Sequence, residues 1–207
     1  MKGLLLKDFY QTVKYCRAYL VLVLVFLAVP LFSEDSMFFL VYPCVFAGMI
    51  PVTLLGYDER SRWLQYSETL PYTKAQIVSA KYLIGLAAQV LILVLAVASQ
   101  AGRMAATGSF SGKELLALMT VLLVVSCVTS SITLPFMFKW GVEKGRIAYN
   151  IMIGVGCLSG LVAANMLQAG AQMQVNAGLP ALCAAAIGIY ALSWYLSIRF
   201  YQKREIK

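Results

Sequence analysis

IAYNIMIGVGCLSGLVAANMLQAGAQMQVNAGLPALCAAAIGIYALSWYLSI, residues 147–198, is a run of 52 residues without one charged side chain. A membrane-spanning helix needs about 20 mostly apolar residues, so this run is too long for one span and fits two. Gln168, Gln172, Gln174 and Asn176, with Gly170 and Gly178, mark the turn between them. Working outward, the rest of the chain contains four more charge-free stretches. The predicted spans are 18–33, 36–57, 82–102, 115–138, 147–167 and 179–198. The first is short, and Tyr15 and Cys16 extend it if Arg17 snorkels to the interface. The predicted fold class is therefore all-α: one polytopic membrane domain over residues 1–207 with six transmembrane helices.

Composition agrees. The chain is 61% hydrophobic and 13% charged, with a mean hydropathy of +0.78, well above the apolar share of a soluble domain. It contains no histidine, which excludes Ser-His-Asp and Cys-His catalysis and every histidine metal site. Cys16, Cys44, Cys127, Cys157 and Cys183 lie in or beside apolar runs without CxxC spacing and read as small buried hydrophobes. The basic start is followed by no small-x-small cleavage site, so the first span is read as retained.

The net charge of +8 records orientation rather than nucleic-acid binding. Of 17 basic residues, 15 fall in the N-terminal arm, the second and fourth loops and the C-terminal tail, leaving Arg103 and Lys113 on the opposite side. By the positive-inside rule both termini are cytoplasmic. No Asp, Glu, Lys or Arg lies within any of the six stretches, which argues against a self-sufficient proton- or cation-coupled carrier. Gly112-Lys113 lacks the upstream glycine of a phosphate-binding loop and is followed by Glu114, so no nucleotide motif is present. The chain itself is expected to be no enzyme and to hold no cofactor or metal.

Gly156, Gly160 and Ala164 give a small-residue stripe in the fifth predicted span, and Ala184 with Gly188 repeats the spacing in the sixth. Such stripes let helices approach closely, either within the chain or toward a second subunit. Residues 4–17 place Leu6, Phe9, Val13 and Cys16 on one helical face and Lys7, Gln11 and Lys14 on another. This reads as an amphipathic surface helix over 1–17. In the second loop, Glu59 to Glu68 interleaves charged and aromatic residues, enough for a short surface helix, which Leu70-Pro71 then ends. Thr73 has the position of an N-cap for the helix that continues into the third span.

The order Asp-Glu-Arg-Ser, aromatic, Thr-Leu-Pro, Lys-x-x-Ile-Val, Lys-Tyr between Asp58 and Tyr82 resembles the loop between spans two and three of type-2 ABC exporter permeases, above all short bacterial ones encoded apart from their ATPase. Residues 138–146, FKWGVEKGR, are similar to a second cytoplasmic segment of those permeases. The resemblance covers nearly the whole chain. It implies a coupling helix at 59–68 that docks on an ATP-binding subunit, with Glu59, Arg60, Arg62, Trp63, Glu68, Leu70, Pro71 and Lys74 as coupling residues. Lys139, Glu143, Lys144 and Arg146 would make a secondary contact. It further implies two ATP-binding subunits, which hold ATP and Mg, a second permease chain, identical or related, and a bacterial cell membrane. Phenol-soluble modulin exporter permeases belong to this subgroup, which makes an apolar or amphipathic peptide the expected cargo. Two other readings fit six spans: a substrate-binding membrane subunit of a vitamin-type importer, for which Gln168, Gln172 and Gln174 would serve as ligands, and a non-transporting immunity or accessory membrane protein.

Overall fold

In the computed structural model, residues 2–29, 37–67, 69–108, 112–142, 144–145, 147, 151 and 175–203 are described. Seven helices occupy them: α1 (Lys2–Tyr15), α2 (Arg17–Ala28), α3 (Met37–Arg60), α4 (Trp63–Ser67), α5 (Lys74–Ala106), α6 (Gly112–Trp140) and α7 (Val175–Lys203). No strand occurs among the described residues. Four helical stretches are long and apolar enough to cross a membrane: Phe39–Arg60, Lys74–Ala106, Leu115–Trp140 and Leu182–Lys203. The count rises to five if α1 and α2, bent by 68°, form one broken span. The predicted fifth span, with Gly156, Gly160 and Ala164, lies outside the described residues apart from Ile147 and Ile151.

Helix boundaries follow local chemistry. Thr73 opens α5 with a capping box: its hydroxyl accepts from the Gln76 N–H at 3.3 Å while the Gln76 side chain accepts from the Thr73 N–H at 3.2 Å. The N-cap predicted from sequence is therefore present, and α5 runs eight residues further toward it than the apolar stretch alone. α6 ends at Gly141, whose φ of +86° is open to glycine at little strain. Its N–H bonds back to the Met137 carbonyl at 2.9 Å.

α3 packs against α2, α5 and α6, and α7 against α5 and α6, while α1 lies across the ends of α3 and α5. Two close approaches depend on missing side chains. A Cβ on Gly48 would come within 2.9 Å of Thr129 Cγ2, and one on Gly85 within 3.2 Å of the Pro51 ring. The interior also holds polar groups, paired with one another. Tyr82 shares hydrogen bonds with Ser193 (2.8 Å) and Ser197 (2.7 Å), Tyr190 donates to the Tyr82 carbonyl (3.0 Å), and Gln89 donates to the Ser126 carbonyl (3.2 Å) and to Ser130. Large apolar side chains meanwhile face outward, among them Leu24, Leu91, Val94, Ile187 and Leu192. This is the distribution expected where the surrounding solvent is lipid.

Gly48→Ala is expected to lower stability by about 1–3 kcal/mol, because α3 and α6 must separate to admit the methyl group. Gly102→Ala, with nothing within 4 Å of the added Cβ, is expected to be neutral or stabilising by up to about 1 kcal/mol. Thermal unfolding of the two purified variants in one detergent checks both.

Candidate functional site

Asp8 is the only acidic residue before Glu34, and α1 turns it inward. Asp58 stands in the last turn of α3, where the negative end of the helix dipole disfavours a carboxylate. Both become tolerable because two lysines converge on them. Lys81 Nζ lies 2.7 Å from Asp8 Oδ1 and 2.6 Å from Asp58 Oδ2. Lys7 Nζ lies 2.6 Å from Asp58 Oδ1 and 3.3 Å from Asp8 Oδ1. Gln11 Nε2 donates to Asp58 Oδ1 at 3.3 Å. Asp8, Asp58 and Lys81 are 1%, 1% and 2% exposed, so three of the four charges are withdrawn from water. One network therefore ties α1, α3 and α5 together.

The neighbouring carboxylate does a related job. Glu59 Oε2 accepts from the Val142 N–H at 2.9 Å, and the turn at Gly141 is what aims that N–H. The segment following α6 is thus held to the end of α3. Phe138 meets Tyr201 edge to face at 5.5 Å, and Lys139 Nζ lies 5.2 Å from the Phe200 ring. The start of the chain, the α3–α5 connection, the end of α6 and the end of α7 consequently share one end of the molecule.

The connection between α3 and α5 departs from the predicted helix over 59–68. Glu59 and Arg60 are the last residues of α3, the backbone reverses at Arg62 with φ +54°, and α4 covers only Trp63–Ser67. The physical reason is that Asp58 anchors the last turn of α3 against the lysines, so the helix runs past 57 before the chain turns. Trp63 is half-buried, with Lys7 Nζ 4.3 Å from its ring, and Ser67 is buried. Arg60, Arg62, Gln65 and Tyr66 face outward, Tyr66 with 57% exposure. Pro71 is exposed, Leu70 and Lys74 are half-buried, and a short turn joins the Tyr72 N–H to the Leu70 carbonyl at 2.7 Å.

Of the predicted coupling residues, Arg60, Arg62, Trp63, Leu70, Pro71 and Lys74 thus gather around α4, whereas Glu59 is committed to Val142. Glu68 lies outside the described residues, as do Glu143 and Arg146. Lys139 and Lys144 are exposed. Sequence reasoning gave no role to Asp8, Asp58 or Lys81. The available signal was a lone acid in a basic arm, together with a charge immediately beyond each end of two apolar stretches.

The profile of the ABC-2 family transporter protein matches residues 3–202. The chain belongs to this family. Its match takes in the charge network, α4 and the segment after α6, and it makes the protein a membrane permease component of an ABC transporter, the non-catalytic subunit that works with an ATP-binding partner. No curated protein and no solved structure matches the chain.

Lys81→Met is expected to lower stability by about 3–5 kcal/mol, since it leaves two buried carboxylates facing one ammonium. Adding Asp8→Asn should recover a measurable part of that loss. Thermal unfolding of the two single variants and the double variant gives the coupling directly, expected to exceed about 1 kcal/mol.

Proposed function

We propose that this ABC-2 permease is the membrane subunit of an exporter and that α4 is its docking element for the ATP-binding subunit. The observation that carries the reading is the position of α4 at the end where the start of α1, the end of α7 and nearly all the described cations lie. It presents exposed Tyr66 between Arg62 and Pro71, while its other side rests on Lys7 through Trp63. By the positive-inside rule that end faces the cytoplasm, where an ATP-binding subunit is found, and the membrane in this reading is that of a bacterial cell.

The mechanism is alternating access. Two ATP-binding subunits, which hold ATP and Mg, close on one another, and α4 moves with the subunit beneath it. α4 is short and stands on the charge network, so its displacement passes to α1, α3 and α5 together rather than being absorbed by a flexible loop. A second permease chain, identical or related, faces the first, and the cavity between them changes the side to which it opens. The six predicted spans, including the one over 147–167, form the conduit. Lys139, Glu143, Lys144 and Arg146 make a secondary contact with the same partner.

An apolar or amphipathic cargo, such as a toxic or antimicrobial peptide, suits these helices. Interior polar groups such as Gln89, Tyr82 and Ser193 are satisfied internally, and the outward surfaces are aliphatic and aromatic. A small ion would lose its hydration there and gain no partners.

Tyr66→Ala combined with Arg62→Glu is expected to weaken retention of the ATP-binding subunit about tenfold or more, as for an exposed aromatic anchor lost from an interface, with the unfolding temperature little changed. Co-purification of the complex from membranes checks this. Undiminished retention and undiminished cargo-stimulated ATP hydrolysis would show that α4 is not the docking element.

A further inference from the structure

The described carboxylates at the charged end are consumed internally: Asp8 and Asp58 in the lysine network, Glu59 on the Val142 N–H. None of these three carboxylates is paired with Lys14 or Arg17. Lys14 and Arg17 flank the 68° bend at which α1 gives way to the apolar helix α2. Both are exposed, and among the described residues no carboxylate pairs with either.

Their setting is amphipathic in an unusual sense. α1 directs Lys7, Asp8 and Gln11 into the protein and an apolar face outward, with Leu6, Phe9, Tyr10 and Val13 exposed by 56%, 56%, 65% and 42%. This outward face runs on into exposed Val21, Leu22, Leu24 and Val25 of α2. Tyr15 stacks on Tyr57 at 4.1 Å beside the bend, as tyrosines do at the headgroup level of a bilayer. Lys14 Nζ lies 5.5 Å from the Tyr15 ring. Arg17 Nε is held by the Val13 carbonyl at 3.1 Å, which fixes the guanidinium and leaves its two terminal amino groups for a bidentate acceptor such as a phosphate.

We infer that the α1–α2 bend binds the phosphate headgroup of an anionic phospholipid through Lys14 and Arg17, with the acyl chains lying along Phe9, Tyr10 and Val13. The apolar face and the cations require different environments a few ångströms apart, and a bilayer surface offers both in that order. An acidic strip on a partner protein would satisfy the cations but would leave the outward apolar face of α1 and α2 in water. The proposal stands independently of the docking role of α4, because Lys14 and Arg17 belong to neither α4 nor the charge network.

The test is native mass spectrometry of the full-length chain in mild detergent, titrated with phosphatidylglycerol and, separately, with phosphatidylcholine. The wild type is expected to retain phosphatidylglycerol preferentially. Lys14→Gln and Arg17→Gln should each reduce that preference about fivefold, and the pair together about thirtyfold, from the usual attraction of a surface cation to anionic lipid. Arg103→Gln, near the opposite end of α5, should leave it unchanged. The charge-conserving variant Lys14→Arg, which keeps the Arg17 fork, should preserve the preference. An unaltered preference in the double neutral variant would overturn the proposal. So would an equal loss in Arg103→Gln.

Discussion

Burying a carboxylate or an ammonium costs several kcal/mol unless an opposite charge and hydrogen bonds meet it at close range, and three helices of this protein are arranged around meeting that condition. Asp8 and Asp58 are acceptable only because Lys81 lies 2.7 and 2.6 Å and Lys7 3.3 and 2.6 Å from them, and Lys81 only because both carboxylates meet it. Apart from the Lys7–Asp8 pair within α1, every contact in the network joins two helices. The network therefore sets how far α3 runs, which side of α1 faces inward and where the start of α5 must lie. Replacing all four by apolar residues need not destabilise the fold, so what the charges provide is a defined arrangement rather than a large net stabilisation.

Several features follow from that arrangement. Because the polar face of α1 is occupied by Asp58 and Lys81, its apolar face is left toward the lipid. Because Asp58 holds the last turn of α3, Glu59 reaches Val142 and the chain reverses only at Arg62, which places α4 beyond the helix ends with Tyr66 outward. An ABC-2 permease receives its energy from a separate subunit, and a transmitting element has to be coupled stiffly to the spans it moves. Here the stiffness has an identifiable source: ionic contacts at one end, and further along the helices the hydrogen bonds of Tyr82 with Ser193 and Ser197 and of Gln89 with Ser126 and Ser130.

Local signals were readable from the sequence. Thr73 caps α5 as its position suggested, the predicted stretches 82–102 and 115–138 lie within α5 and α6, and 36–57 lies within α3 from Met37 on. Four helical stretches in the described residues meet the length and hydropathy required of a span, whereas six were predicted, partly because 147–167 lies almost wholly outside those residues and α2 is short. The helix predicted over 59–68 came out divided, since its first two residues are claimed by α3 through contacts made elsewhere in the chain. The network itself was invisible to pattern reading. Asp8 and Lys81 are 73 residues apart and Lys7 and Asp58 are 51 apart, and each taken singly resembles an ordinary charge beside a membrane span. No charge stands inside the apolar stretches, yet two of the charges just beyond their ends, Asp58 and Lys81, are buried in protein.

Hydrogen exchange on the intact chain in lipid tests most directly whether this end is one unit. If the network holds α1, α4 and the first turns of α5 together, amides in residues 4–15, 63–67 and 78–82 should exchange slowly and at a common opening rate. In Lys81→Met all three should accelerate together while the middle of α6 stays protected. Fast, independent exchange of α1 in the wild type, with α5 fully protected, would contradict the account.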